Sequence, residues 1–453
     1  MIAFPLMDTE ESFHGRIRAG HHDGDIEAVY PGDLEEQRAR LAELCERFVE
    51  EYADQPQQVF SAPGRTELGG NHTDHNAGRV LAAGVTLDTV AAVSPRTDAR
   101  VRIVSEGFEG TIEVDTRELM PMKSEAGSPA ALVRGVAAFL RAHGREVGGF
   151  DAVVTSRVAP GSGLSSSASF EVLIAVVFSF LYNDGTLTPV EIARAGRHAE
   201  NEFFGKPAGL MDQIACAAGG VVTIDFEDEE APTVQRISAG FADRGYRLFA
   251  VDSGAGHADL TDDYAAVVHE MKEAARVFGR STLREVEERA FFERLPEVRS
   301  RVGDRAVLRA LHYFRENRRV LRQARLLTDG DIEGFLSEVR ESGSSSWRLL
   351  QNCYSPAALQ QQGIPLALAL SETFLEESTV FPRPPRLHGA ARVHGGGFAG
   401  TIQAYVPTER AADYRRAMSA VFGEGSVTPL TIRPLGACLI TGTPRIEKRS
   451  DRR

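Results

Sequence analysis

The segment Pro160-Gly-Ser-Gly-Leu-Ser-Ser-Ser-Ala-Ser169 has the residue types of an anion-binding loop. Glycines at 161 and 163 let the backbone approach an anion closely, and the serines that follow offer amides and hydroxyls where a helix begins. Gly161, Ser162, Gly163, Leu164, Ser165, Ser166, Ser167 and Ala168 are therefore expected to hold phosphate oxygens, and a nucleotide is the expected ligand. The Walker pattern and Gly-x-Gly-x-x-Gly are both excluded, because position 166 is Ser and the loop has no Lys. Taken alone, the segment also reads as a Ser/Gly-rich turn capping a core helix.

Three further segments bear on that choice. Ala62-Pro-Gly-Arg-Thr-Glu-Leu-Gly-Gly-Asn-His-Thr-Asp-His75 packs two carboxylates, two histidines, an Asn and an Arg into fourteen positions. Gly209-Leu-Met-Asp-Gln213 sets one carboxylate among apolar neighbours, and Gly395-Gly-Gly-Phe-Ala-Gly400 is a second glycine-rich loop. In this order, over Ser61 to Gly400, the four segments resemble the galactokinase branch of the GHMP small-molecule kinases. Their conjunction is far more specific than any one loop.

The resemblance implies an α+β fold of two domains. Residues 1–55 form an N-terminal extension. Residues 56–238 form a domain like the second domain of a ribosomal protein, carrying the sugar motif and the phosphate loop, and residues 239–453 form a ferredoxin-like domain. The resemblance also implies ATP and Mg²⁺, with Ser167 and Glu200 as metal ligands. Asp212 matches the catalytic aspartate that accepts the proton of a sugar's anomeric hydroxyl, and Arg65 the arginine beside it. An adjacent guanidinium keeps such a carboxylate ionised and lowers its pKa. Sugar contacts fall on Asn71, His72, Asp74, the backbone of Gly209, and Tyr264, since carboxylates and amides can each engage two vicinal hydroxyls. Apart from the family, Glu200 sits in a polar helical stretch where an exposed Glu is ordinary, and Asp212 reads as a helix-start cap.

One departure matters. The common family pattern is Arg-Val-Asn-Leu-Ile-Gly-Glu-His-Thr-Asp-Tyr, whereas this chain has Arg65-Thr-Glu-Leu-Gly-Gly-Asn-His-Thr-Asp-His75. Asn71 stands where the family Glu contacts the sugar's 6-hydroxyl. An amide there keeps a hydrogen bond and removes repulsion toward a 6-carboxylate, so galacturonate and N-acetylgalactosamine join galactose as candidate acceptors. Asp74 and the His257 to Tyr264 spacing favour galactose. A non-catalytic galactose sensor on this fold would have lost Ser and Ala from the phosphate loop, and Ser167 and Ala168 remain.

The elements that must position these residues are legible as periodicities. Leu34 to Tyr52 has apolar residues at helical spacing and is expected to dock on the first domain. Strand-like runs cover Val80 to Val93, Val101 to Ser105, Ala152 to Ser156, Val221 to Phe226 and Arg247 to Asp252. Helices are expected after Ser165 and after Thr188, where Thr-Pro-Val-Glu meets the N-cap, N1 and N3 preferences. A domain boundary near 230 to 246 is followed by helices at Tyr264–Phe278, Val307–Leu327, Ile332–Trp347 and Ile364–Phe374. Strands at Gly400–Val406 and Cys438–Gly442 complete the second domain.

Composition bounds the rest. The 453 residues suffice for two ordinary domains, and 42% hydrophobic with 25% charged residues is a globular balance. A net charge of −13 argues against general nucleic-acid binding. The apolar start, Met1 to Met7, lacks the basic region of a secretory signal. The longest apolar run, Val172 to Leu181, falls short of the roughly 20 residues that span a bilayer. Four separated cysteines fit a reducing cytoplasm. A monomer acting on a small-molecule sugar and ATP is expected. The tail Arg445 to Arg453 reads as a solvated end, and Lys206, between Gly205 and Pro207, as a turn residue without chemistry.

Overall fold

The computed structural model describes residues 12–159, 161–206, 208–254, 260–376 and 388–442. Met1 to Met7, Pro160, Pro207, His257 and the basic tail lie outside these residues.

Strand β2 (Arg79–Pro95) is the spine of an eight-stranded sheet. It pairs antiparallel with β1 (Gln58–Gly69) along one edge, and with β5 (Phe150–Ser156) and β6 (Val221–Asp225) along the other. Beyond β5 lie β3 (Arg100–Ser105), parallel to it, and β4 (Thr111–Asp115); β7 (Thr233–Ile237) extends β6.

Alternation along these strands explains why both faces are covered. Phe60, Ala62, Ala91, Val93, Ala152 and Val154 join the core under the helices Ser166–Tyr182, Pro189–His198 and Pro129–Ala142. Their sequence neighbours Val59, Val90, Ala92 and Val153 instead meet Leu41, Leu44 and Phe48 of the helix Leu34–Tyr52. That helix therefore docks where its periodicity predicts, and each of its large apolar side chains contributes about 1.5–3 kcal/mol by burial. The helix at Pro189 starts with the expected capping box: Thr188 Oγ1 accepts from the Glu191 amide at 3.2 Å, and Glu191 accepts from the Thr188 amide at 2.9 Å.

The second sheet is antiparallel, in the order β11 (Val427–Leu430), β8 (Tyr246–Asp252), β10 (Thr401–Pro407), β9 (Ala390–Val393). One face, with Phe249, Val251, Ile402, Ala404 and Val406, packs on the helices Gly363–Leu375 and Ala411–Phe422. The other, with Leu248, Ala250 and Tyr405, shares a core with Leu81, Ala83 and Val85 of β2 and with Val320 and Leu336. The two sheets are thus joined by a continuous apolar layer. The long helix Leu295–Asp329 is kinked at Gly303, so the expected Val307–Leu327 is its segment beyond the kink.

The expected contiguous second domain, 239–453, needs correction at its end. Strand β12 (Cys438–Gly442) pairs antiparallel with β1, placing its Ile440 in the core under Leu34–Tyr52. Period-2 patterning identifies a strand but carries no information about which sheet receives it.

Candidate active site

Arg65 lies on β1, next to a register shift that follows Pro63. A proline inside a paired strand is tolerated at such irregularities. The Arg65 amide donates to the Leu164 carbonyl at 3.0 Å, and its Nη1 to the Gly163 carbonyl, so strand and serine loop are fastened together. The rest of the guanidinium grips Asp212, with Nε to Oδ1 at 2.6 Å and Nη2 to Oδ2 at 2.9 Å. Asp212 is the second residue of the helix Met211–Ala218 and caps nothing; the N-cap position is Leu210. Its carboxylate is left for Arg65 and for the Ser165 hydroxyl, which donates to Oδ2.

Ser165 is at φ 63° in the left-handed region, which only Gly, Asn and Asp visit cheaply, and it immediately precedes the helix Ser166–Tyr182. It does not cap that helix, because its side chain is turned to Asp212. Such backbone strain is maintained where surrounding contacts over-determine it. Gly163 has φ 74°, and a Cβ there would lie 2.5 Å from Thr401 Oγ1 and 3.1 Å from His394 Nδ1 on the other sheet.

Burial is the strongest influence on Asp212 and would raise its pKa. The Arg65 charge, the hydrogen bonds from Arg65 and Ser165, and the Lys206 charge outweigh it and hold the carboxyl below its usual value. Glu200 lies on a π-helical turn, Ala199–Phe204, and is buried rather than exposed. Its Oε1 accepts from Ser167 Oγ at 2.9 Å and from Lys206 Nζ at 2.7 Å, and its Oε2 from Gln213 Nε2 at 3.0 Å. Gln213 also donates to the buried Glu171 at 3.1 Å. Burial, then the Glu200 charge, push Glu171 well above the usual carboxylate range.

Asp74 opens a short 3₁₀ turn, Asp74–Asn76, and faces Gly209, where an added Cβ would stand 2.5 Å from Asp74 Oδ2. His72, Asn71 and Tyr264 converge on the Gly395–Gly397 loop. His72 Nε2 lies 2.8 Å from the Gly396 carbonyl, and Tyr264 Oη donates to Gly397 at 3.1 Å. Burial, reinforced by His75, pushes His72 down to about 4, so it is neutral and donates to that carbonyl.

Asn71 differs from expectation. It is 1% exposed, and its Nδ2 donates to the Gly395 carbonyl at 2.7 Å and to Glu67 at 3.2 and 3.3 Å. Its Oδ1 accepts from Asn352 Nδ2 at 2.9 Å. The amide expected at the sugar's C6 is therefore engaged by protein groups.

Sequence reasoning missed Lys206, Gln213, Glu171 and Glu67. Three had signals: Glu171 follows Ser167 by four residues and so shares its helix face, Gln213 adjoins Asp212, and Glu67 lies two residues along β1 from Arg65. Lys206 had only its nearness to the Asp212 motif, and a π turn is needed to bring it back onto Glu200.

Residues 46–95 match the galactokinase galactose-binding signature, and residues 131–220 match the GHMP kinases N terminal domain. A galactokinase of Streptomyces coelicolor is 34% identical over 306 residues, covering 66% of this chain and 76% of that protein. The fold is similar to that of Lactococcus lactis galactokinase complexed with galactose, with TM-score 0.74 and 24% identity over 88% of this chain and 99% of that one. It is similar also to Methanococcus jannaschii mevalonate kinase, with TM-score 0.57 and 14% identity over 83% and 98% of the two chains. On the relative's identity and coverage, and on the two matched signatures, this chain belongs to the galactokinase family of GHMP sugar kinases.

Proposed function

We propose that this protein uses ATP to phosphorylate the anomeric hydroxyl of galactose, giving galactose 1-phosphate. The observation that carries the reading is the Arg65–Asp212 pair held against the serine loop. A carboxylate, a guanidinium and a phosphate-type loop converge there, which is what phosphoryl transfer to a hydroxyl needs. The sugar is suggested by the galactose-binding signature over residues 46–95 and by the Streptomyces relative.

Asp212 orients the anomeric hydroxyl and accepts its proton late, because a carboxylate with a lowered pKa is a weak base. Arg65 offsets the charge of the transferring phosphoryl group. The loop from Gly161 to Ala168 takes the ATP phosphates through amides and hydroxyls. Ser167 and Glu200 would hold Mg²⁺, whose hard-oxygen preference suits a hydroxyl and a carboxylate already 2.9 Å apart, with an ammonium on the same carboxylate. When bound, Mg²⁺ neutralises phosphate charge. His72, Asp74, the Gly209 backbone and Tyr264 are the proposed sugar contacts.

Two lobes, one on each sheet, remain our reading of the domain plan, the first like the second domain of a ribosomal protein and the second ferredoxin-like, with Cys438–Gly442 assigned to the first. A monomer is our reading of assembly and the cytoplasm our reading of place, the latter in keeping with four free cysteines. No helix among the described residues is long and apolar enough to cross a membrane. Galacturonate and N-acetylgalactosamine rank below galactose, since the Asn71 amide that motivated them is turned into the protein. The intact Ser167, Ala168, Asp212 and Arg65 oppose a sensor without turnover.

ADP release across galactose, glucose, galacturonate and N-acetylgalactosamine, with ATP and Mg²⁺ present, tests the proposal. Preference for galactose is expected. Preference for another sugar, or sugar binding without ADP release, would overturn it.

A further inference from the structure

Glu67 and Arg392 are both buried, and Arg392 Nη2 donates to Glu67 Oε1. Glu67 in turn holds the Asn71 amide, and the same amide holds the Gly395 carbonyl. A continuous buried chain therefore runs from Arg392 on β9, through Glu67 on β1 and Asn71 after it, back to the glycine loop that β9 feeds. Asn352 braces the far side by donating to both Asn71 Oδ1 at 2.9 Å and the Gly396 carbonyl at 3.0 Å.

The family pattern has an amide at the position of Glu67 and a carboxylate at that of Asn71; here the two are exchanged. Because the side chains touch, the exchange keeps one carboxylate and one amide in contact. A single change would instead leave two carboxylates or two amides facing each other. Two carboxylates in a buried site repel strongly, and two amides would leave the Arg392 charge with no carboxylate from this pair.

We propose that Glu67 and Asn71 act as one positioning pair that sets Gly395–Gly397 against the sugar motif, with Asn71 serving that loop rather than discriminating at the sugar's C6. This rests on the reading of the site as a sugar kinase. Within it, Glu67 is a positioning residue that acts through Asn71, and the loop it sets carries the carbonyls that His72 and Tyr264 engage.

A double-mutant cycle of Glu67→Asn and Asn71→Glu tests the pair. Each single variant is expected to raise the galactose KM by about 30-fold or more while the ATP KM moves within about three-fold, and the double variant is expected to return to within about ten-fold of the parent. Additive losses, or Asn71→Glu alone shifting preference between galactose and galacturonate without a loss, would overturn the proposal. The thermal midpoints of the same four proteins form a second cycle that needs no turnover. An inactive parent would thus count against the sugar-kinase reading, while additive midpoints would count against the pair. If Asn71→Glu does not fold, recovery of folding in the double variant supports the pair. The milder Glu67→Gln keeps shape and removes charge, and an unchanged galactose KM in that variant overturns it.

Discussion

Arg65 holds Asp212 at both carboxylate oxygens, Nε at 2.6 Å and Nη2 at 2.9 Å, while its remaining nitrogen is fastened to the phosphate loop at Gly163. One guanidinium thus fixes the spacing between the proposed base and the proposed phosphate loop. Asp212→Ala is expected to lower kcat by about 10³-fold or more, in the range of general acid–base effects. ATP affinity should stay within a few-fold, because the role proposed for Asp212 is on the acceptor side. Isothermal titration with a non-hydrolysable ATP analogue and an ADP-release assay check the two halves, and near-normal turnover would remove Asp212 from the mechanism.

The pH profile follows from the same pair. Burial would raise the Asp212 pKa, but the Arg65 charge and the hydrogen bonds to the carboxylate hold it below its usual value, so the group is charged throughout the neutral range. His72 is held down to about 4 and does not titrate near neutrality either. The galactose kcat/KM is therefore expected to show no limb from Asp212 or His72 between about pH 6 and 8. A limb near pH 6.5 that disappears in His72→Gln would show that His72 titrates normally.

Local chemistry was legible in the sequence and its wiring was not. The serine loop, Arg65 and Asp212 could be read together because each sits in an uninterrupted motif. Glu200 became credible only by family match, since its burial depends on the π turn that also returns Lys206 to it. The protein partners of Asn71 were not legible because Glu67, whose carboxylate its amide holds, is four positions away on a strand whose register shifts between Glu67 and Gly69. The final strand was found by its pattern but assigned to the wrong sheet, because strand pairing is a long-range choice.

Gly163 should not tolerate a side chain. Alanine there would adopt a left-handed conformation costing about 1–2 kcal/mol and would press on Thr401, 2.5 Å away. Thr401 and His394 are buried and within 3.2 Å of each other, so neither gives way easily. Gly163→Ala is expected to raise the ATP KM about ten-fold or more, with a smaller change in the sugar KM. Equal effects on both substrates would mean that the loop does not serve ATP in particular.

Asp88 ties the chain's end to its first sheet. It accepts from Tyr30 Oη at 2.5 Å, Arg40 Nη1 at 2.8 Å and Arg433 Nη1 at 3.1 Å, and both Asp88 and Arg433 are buried. Burial would raise its pKa, but the two arginines and the hydrogen bonds from Ser61 and Tyr30 hold it below the usual range. A depressed folded-state pKa means stability that is present above the unfolded value and lost as pH falls through the folded one. Asp88→Ala should cost about 3–5 kcal/mol, since it leaves buried arginines uncompensated. Urea unfolding at pH 7 measures this, and a loss under about 1 kcal/mol would place the pair among weak ones.

Lys206 Nζ sits 2.7 Å from the Glu200 oxygen that also accepts from Ser167, while most of its side chain is exposed. An ammonium there competes with a divalent cation for the same carboxylate. Such an ion pair is worth up to about 1 kcal/mol, which corresponds to about five-fold in a binding constant. Lys206→Met is therefore expected to lower the Mg²⁺ concentration for half-maximal activity by up to about five-fold, with kcat within about two-fold. Titrating Mg²⁺ at saturating ATP and sugar separates this from a role on the phosphates. If kcat falls by about ten-fold or more at saturating Mg²⁺, Lys206 acts on the transferring group rather than as a competitor for Glu200.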